Sequence, residues 1–300
     1  MQKLKNYPKI SIVFPNYNGG QEPLDCLKSI KKLNYLKDKI EVVVIDNGSW
    51  DGSREQIKKR YAGVMLINNK HNLGFARAIN QGLKTAQGDY IFITNDDIIF
   101  EKNSLRNLIE YSLKHPNVGI LGGIIYKKIP PNEISCAGNN LNIWTGNVYS
   151  CPNPARIKEP DWIPGCAMLV KGEVVRKIGL LDDLFTYSFE DSDYCQRARI
   201  AGFKVVYLPH AKFWHSVSAT ANKNRKLTHF HWYQSKLRYA LKHLPIYNLF
   251  SIFIFQTLAI PPEAILKRDH RILPYTQAVL WNILNLTKTL KARRSVKKPG

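Results

Sequence analysis

The 300-residue sequence predicts an α/β fold: a Rossmann-like, mostly parallel sheet flanked by helices, extended at its C-terminus by a helical, basic segment. Three observations carry this expectation. Short apolar β runs alternate with helical stretches through the first 130 residues, three of the first four runs end in Asn/Asp-rich segments, and the positive charge gathers in the last third. Apolar strands separated by helices form parallel sheets buried on both faces, and ligands collect at the carboxyl ends of their strands. An apolar fraction of 44% supports a packed core and excludes a wholly disordered chain.

The first strand is Ile10–Phe14, stopping at Pro15-Asn16, and a helix follows around Leu24–Lys32. The second strand, Val42–Ile45, ends at Asp46-Asn47-Gly48-Ser49 and leads to a polar helix near Gly52–Arg60. The third, Val64–Ile67, runs into Asn72–Gly74 and a small-residue helix over Phe75–Ala86. The fourth, Tyr90–Thr94, ends at Asn95-Asp96-Asp97. Residues 130–160 are rich in Pro, Asn and Gly and read as irregular connection. A second motif-dense block runs from Trp162 to His215, with a helix over Asp191–Ala201 closed by Gly202 and a strand over Lys204–Tyr207. From about Thr228 the pattern is helical, aromatic and basic, and no internal repeat or low-complexity tract interrupts it.

The formal net charge is +21 and unevenly placed. From Lys204 to the end, seventeen Lys/Arg face two carboxylates (Glu263 and Asp269), so about +15 of the +21 lies there. Such a surplus suits an anionic partner: nucleic acid, an acidic membrane surface or phosphorylated substrates. Five cysteines show no CxxC or Cys/His metal spacing, and the odd count favours a reduced, cytosolic setting over a disulfide framework. The run Ile10–Phe14 is too short for a signal peptide, so export is not expected. Leu244–Pro262 is nineteen residues without a charge, within the range of a membrane span. Its Asn248, Ser251, Gln256, Thr257 and three prolines favour an interfacial or core helix.

Several segments carry chemistry. Asn95-Asp96-Asp97 puts two carboxylates and an amide at a strand end, hard oxygen ligands for Mg²⁺ or Mn²⁺ bridging a diphosphate; the same residues also suit a turn capping a helix. Glu190-Asp191, followed by Asp193, opens a helix that carries Arg197 and Arg199. A carboxylate there is oriented by backbone N–H groups and serves as a general base, or the acids simply pair with the arginines. His215, in Phe213-Trp214-His215-Ser216, is a metal ligand or a hydrogen-bonded structural histidine. Pro15-Asn16-Tyr17-Asn18 and Asp46-Asn47-Gly48-Ser49 offer an aromatic face, amides and a carboxylate suited to a nucleobase and ribose, and each is also a good turn. Neither GxGxxG nor GxxxxGK[ST] occurs.

In order, the segments SIVFPNYN (11–18), VIDNGSWDGS (44–53), NLGFARAINQG (72–82), GDYIFITNDD (88–97), GCAMLV (165–170), IGLLDD (178–183), FEDSDYCQRARIAG (189–202) and 206–215 resemble glycosyltransferase family 2, of GT-A fold. They look most like its rhamnosyltransferase-like branch. The resemblance covers about residues 8–220. It implies a catalytic unit over 1–225, with a nucleotide-sugar half 1–130 and an acceptor half 131–225, and leaves 226–300 as a basic membrane-associating or oligomerising extension. It implies that Pro15, Asn16, Tyr17, Asp46 and Asn47 hold the nucleoside, with Asn72, Gly74, Asn80 and Asp96 nearby. It assigns Mg²⁺ or Mn²⁺ to Asp97 with Asn95 or Asp96, and, by likeness to a galactofuranosyl branch, to His215. Asp191 becomes the base, and Trp162, Gly165, Cys166, Ala167 and Glu190 the acceptor site. Two departures stand out: Asn47 replaces the second Asp of the usual nucleoside motif, and Asn95 occupies the first metal-motif position.

The expected activity is inverting transfer from a nucleotide diphosphate donor, dTDP-rhamnose or another NDP-hexose, to a glycan or lipid-linked acceptor at the cytoplasmic face of a membrane. A transferase loading a polyprenyl phosphate carrier is the enzymatic alternative. Nucleic-acid binding is the rival from another class, suggested by aromatics among bases at His229–Tyr239. The balanced front domain argues against it, so no nucleic-acid partner is expected. QxxRW is absent, which disfavours a processive synthase. Trp232, Tyr233, Tyr247 and Trp281 are the expected interfacial anchors, with a core or homo-oligomer contact as the other use of the apolar run.

Overall fold

The structure, a computed structural model, describes residues 7–131, 133–151, 153–186, 188–216, 225–258 and 272–296. The strands β1 (Ile10–Asn16), β2 (Ile40–Asp46), β3 (Met65–Asn68) and β4 (Tyr90–Thr94) lie where the apolar runs predict them. Between them run α1 (Glu22–Lys31), α2 (Ser53–Arg60) and α3 (Phe75–Thr85). β3, β2, β1 and β4 lie side by side and parallel. Along β1, Ile12 and Phe14 enter one core while Val13 enters the other. A strand buried on both faces presents apolar side chains to both, which is why the runs are nearly continuous, with Ser11 the one buried hydroxyl in β1 before Asn16. α3 lies close on β1 because Gly82 faces it: a Cβ there would stand 2.2 Å from Val13 Cγ1.

After β4 come β5 (Ile98–Phe100), α4 (Ser104–Lys114) and β6 (Val118–Lys127). β7 (Ile134–Cys136) pairs with β6, and β8 (Asn139–Leu141) with β9 (Val148–Ser150) forms a separate hairpin. The stretch read as irregular therefore holds three short strands. They are only three residues each, below the length at which alternation shows. β10 (Ala167–Lys171), α5 (Gly172–Ile178), α6 (Glu190–Ile200) and β11 (Lys204–His215) complete the sheet, in the order β3-β2-β1-β4-β10-β6-β11-β5.

The sheet is mixed, which corrects the expectation of a mostly parallel one. Among the described residues four of its strand pairs are parallel and four antiparallel, because β10 runs against both neighbours and β5 and β7 run against theirs. An apolar run such as Ala167–Val170 has the same pattern in either direction, so sequence does not distinguish them. β11 also extends beyond the predicted Tyr207. It pairs Leu208 with Gly123, bulges, and resumes with Lys212 opposite Ile124, which carries it to His215.

The C-terminal region folds as α7 (Arg225–His243), α8 (Ile246–Leu258), α9 (Ile272–Leu284) and α10 (Leu286–Val296). α8 covers most of the uncharged run; its residues 259–262 lie outside those described. Among the described residues no helix is long and apolar enough to cross a membrane. α8 buries Asn248 and Ile252 and exposes Ile246, Tyr247, Phe250, Phe253 and Ile254. Of the expected anchors, Tyr247 is 58% exposed, whereas Trp232 packs against the core.

Candidate functional site

The carboxyl ends of β1 and β2 carry the expected nucleoside residues. Asn16 is fully buried and its Nδ2 donates to Asp46 Oδ1 (2.8 Å), Ser53 Oγ (3.0 Å) and Ser49 Oγ (3.1 Å). Asp46 Oδ2 accepts from the Ser49 amide at 3.1 Å. Both carboxylate oxygens of Asp46 thus fix the loop, and Gly48, at φ +82°, turns it. Tyr17, next to Pro15 and Asn16 at the rim, is 44% exposed and offers an open ring face. Asn47 Oδ1 accepts from Asn69 Nδ2 at 2.9 Å, and Asn69 exchanges two bonds with Gln81 of α3. Asn72 accepts from the Gly74 amide (2.8 Å), a turn that starts α3. Asn80 binds the backbone of Leu181 in both directions at 2.9 Å. Asn47, Asn72 and Asn80 therefore hold loops together, and Ser49, Ser53, Asn69 and Gln81 are the supporting residues that sequence reasoning missed.

Asn95, Asp96 and Asp97 lie between β4 and β5 at the same edge. β11 pairs His215 with Ile98, so the histidine arrives beside them. His215 Nε2 lies 3.1 Å from Asp97 Oδ1 and 3.5 Å from Asn95 Nδ2. Asp97 is 4% exposed, and neither of its carboxylate oxygens accepts a hydrogen bond. The Asp96 carboxyl is pushed up to about 7 by burial, with Asp97 and then Glu22 adding repulsion. Asp96 also faces Gly19, where a Cβ would stand 2.5 Å from Oδ2, so a side chain at position 19 would displace the carboxylate. Among the described residues these two adjoining acids have only His215 beside them, which leaves the site short of positive charge, and a divalent cation fits that deficit. Among the described residues no three His, Cys, Asp or Glu side chains form a ready-made metal cage.

The Glu190-Asp191 pair opens α6. Phe189 ahead of it is left-handed at φ +68°, an uncommon conformation for a bulky side chain. Asp191 Oδ2 accepts from the Gly165 amide (2.9 Å), and Oδ1 accepts from Ser192 N (2.7 Å) and Oγ (3.2 Å). Burial raises both carboxyls, and Asp191 adds repulsion at Glu190. The donors around Asp191 oppose that rise, whereas Glu190 Oε2 is buried without a partner. The pair therefore shares charge unequally, with Asp191 the better ionised.

Pairing of β10 with β4 sets Ala167 opposite Thr94, and Thr94 Oγ1 donates to the Cys166 carbonyl at 2.7 Å. The loop Gly165-Cys166 thus lies between the Asp97 and Asp191 regions. The Cys166 thiol is raised well above its ordinary range by burial, with Cys136 and then both Asp97 and Asp191 adding to it. Trp162 is 4% exposed, its ring 6.0 Å from Phe189, so it packs as a buried side chain close to the start of α6. Asp193, the other acid of the motif, is fully buried and held by Arg197 (2.8 Å), Lys242 (2.6 Å) and His243 (2.7 Å). α7 therefore reaches the site from behind, a contribution invisible to the motif search. It also places His231 beside Thr186 (2.9 Å) and Trp232 beside Phe189 (6.3 Å).

Comparison with known proteins agrees with this geometry. Residues 11–172 match the model of "Glycosyl transferase family 2". An N-acetylglucosaminyl-diphospho-decaprenol L-rhamnosyltransferase of Mycobacterium tuberculosis is 22% identical over 247 residues, covering 68% of this chain and 80% of that protein. The poly-beta-1,6-N-acetyl-D-glucosamine synthase of Staphylococcus aureus is 26% identical over 216 residues, 70% of this chain and half of its own length. A solved mannosyltransferase from Pyrobaculum calidifontis, in complex with GDP-Man and Mn²⁺, shares the fold with TM-score 0.59 and 19% identity, covering 97% of this chain and 87% of that one. The family match spans more than half the sequence, including the strand ends and the Asn95–Asp97 loop, so this chain belongs to glycosyl transferase family 2, inverting enzymes that move a sugar from a nucleotide donor to a glycan or lipid acceptor.

Proposed function

We propose that the chain transfers a hexose, with rhamnose the first candidate, from a nucleoside diphosphate donor to a lipid-linked glycan at the cytoplasmic face of a membrane. The observation that carries the chemistry is the pairing at one sheet edge of a buried carboxylate with only His215 beside it, Asp97, and an oriented one, Asp191. Asp191 takes the proton of the acceptor hydroxyl as its oxygen attacks the anomeric carbon, opposite the departing nucleoside diphosphate. Asp97, with Asp96 or Asn95 and His215, would hold Mg²⁺ or Mn²⁺, which neutralises charge on the leaving diphosphate. Pro15, Tyr17 and the loop fixed by Asn16, Asp46 and Asn47 take the nucleoside, and Gly165–Ala167 with Glu190 the acceptor. The name of the mycobacterial relative supports both the rhamnosyl donor and the diphospholipid acceptor.

The test is nucleotide release measured against dTDP-rhamnose, UDP-sugars and GDP-sugars with Mn²⁺ or Mg²⁺. Release is expected to stop in EDTA and return on adding metal; full activity in EDTA would sink the metal assignment. His215→Ala should raise the metal concentration needed for half-activity while leaving activity at saturating metal, since one ligand of several is lost.

Membrane attachment rests on α8, where Ile246 is 69% and Phe250 66% exposed, within a strongly basic chain. Exposed apolar side chains on a strongly basic chain bind anionic interfaces. Flotation with phosphatidylglycerol vesicles is expected to carry the protein up, high salt to release it, and Phe250→Ser with Ile254→Ser to abolish it. Equal flotation with neutral vesicles would refute the electrostatic part.

A further inference from the structure

Among the described residues, four buried polar atoms without hydrogen-bond partners belong to residues next to, or on the same helix face as, the members of one aromatic contact. Phe189 touches Trp232 (ring centroids 6.3 Å) and Tyr239 (5.6 Å) of α7. Ser188 and Glu190 flank Phe189, and the Oγ of one and Oε2 of the other are unpartnered. Ser235 and Lys236 share the α7 face of Trp232 and Tyr239, as spacings of three, four and seven residues dictate. Their Oγ and Nζ are unpartnered too. Lys236 is 3% exposed, and its ammonium stands 4.4 Å from the Trp232 ring centroid. It lies against the β8–β9 turn and α8: a Cβ added to Gly146 would stand 2.6 Å from Lys236 Cε and 3.1 Å from Ile252 Cγ2.

A buried ammonium without a counter-ion is destabilising, and burial alone lowers this one to about 8, so it still carries charge at neutral pH. An unsatisfied buried polar group in a native fold calls for a reason, and a ligand that completes it is one. We propose that Lys236, with Ser188 and Ser235, forms the subsite for the phosphate of a lipid-linked acceptor, bordered by the Trp232 ring. An ammonium and hydroxyl donors complement a phosphate oxyanion, whereas a neutral sugar would leave the charge unpaired. The neighbouring surface suits the tail. The same hairpin and helix expose Trp144 (56%) and Tyr247 (58%), their rings 5.9 Å apart, beside Phe250 and Ile254. Phe189 lies two residues before Asp191, so one turn links this subsite to the base. The inference rests on the transferase reading with a lipid-linked acceptor.

The probe is farnesyl diphosphate, titrated in EDTA so that the metal site does not hold its diphosphate, with tryptophan fluorescence as readout. Farnesol and inorganic pyrophosphate separate tail from charge, and phosphatidylglycerol vesicles test bulk lipid as the source. Farnesyl diphosphate is expected to bind at least tenfold more tightly than either fragment, without competition from vesicles. Lys236→Met should weaken it about 10- to 100-fold, the loss of a charge-assisted hydrogen bond, while the melting temperature holds or rises. A merely structural lysine would give the reverse, a lower melting temperature with binding intact. Unchanged affinity in Lys236→Met, or equal competition by the vesicles, overturns the proposal. If the wild type transfers no sugar yet binds the probe through Lys236, the transferase reading fails and the subsite stands. Transfer to a lipid-linked acceptor with unchanged KM in Lys236→Met would remove the subsite alone.

Discussion

Replacing Asp191 by Asn is expected to lower kcat by about 10²–10⁴, the usual contribution of a general base, while donor binding stays near the wild-type value. Asn keeps one acceptor oxygen, enough for Ser192 N, and gives up the bond from Gly165 N, while Thr94 Oγ1 still holds the neighbouring Cys166 carbonyl and with it the loop. What is lost is the capacity to take a proton. Because burial raises the Asp191 carboxyl, the acid limb of the wild-type rate should lie above the ordinary carboxylate range, and activity should rise with pH through it. Donor affinity from equilibrium titration, beside kcat from nucleotide release, separates the roles. An equal loss in both would assign Asp191 to binding, and Glu190, with its unpartnered buried oxygen, would become the next candidate.

The residues that sequence placed best are those where a buried strand ends. Past Ser11 and Glu41, β1 and β2 stay apolar until they end at Asn16 and Asp46, and β4 is apolar up to Thr94 ahead of Asp97, so their ends are sharp in the pattern. His215 was legible as a motif but not as a neighbour. Pro209-His210 breaks the apolar pattern and reads as a strand end, yet the chain bulges there and pairs on to Ile98. The direction of β10 was not legible at all, since a doubly buried run is the same read either way. For Asp193 sequence supplied only the local partner. The i,i+4 pairing with Arg197 exists at 2.8 Å, but Lys242 and His243 lie about fifty residues on, and no periodicity announces an ion pair of that span.

Those distant partners produce the largest expected effect on stability. Asp193 is completely buried, and around it Arg197, Lys242 and His243 bring cationic or N–H donor groups from α6 and α7. Asp182 extends the cluster through Lys242 (2.8 Å) and Arg238 (2.7 Å), the latter 1% exposed and also bonded to Thr289 of α10 at 2.5 Å. Removing one member of a buried ion cluster costs about 3–5 kcal/mol, because the remaining charges stay buried without compensation. Asp193→Ala should fall near the lower end, about 3 kcal/mol, since Lys242 keeps Asp182 and Arg197 keeps the carbonyls of Ile178 and Leu180. The pH dependence has a definite sign. The cluster holds the Asp193 carboxyl well below its ordinary range, so its contribution is complete above about pH 4 and is lost as pH falls further. Burial lowers His243 as well, so the unfolded chain takes that proton first, and stability declines as pH drops below about 6.5. Urea midpoints across pH 2–8 for the wild type, Asp193→Ala and His243→Asn would resolve the two contributions. A chain ending before α7 would lose the cluster's second half and uncover Phe185 and Phe189, so it should neither fold nor transfer sugar. A folded, active fragment of that length would show that α7 is an appendage rather than part of the catalytic unit.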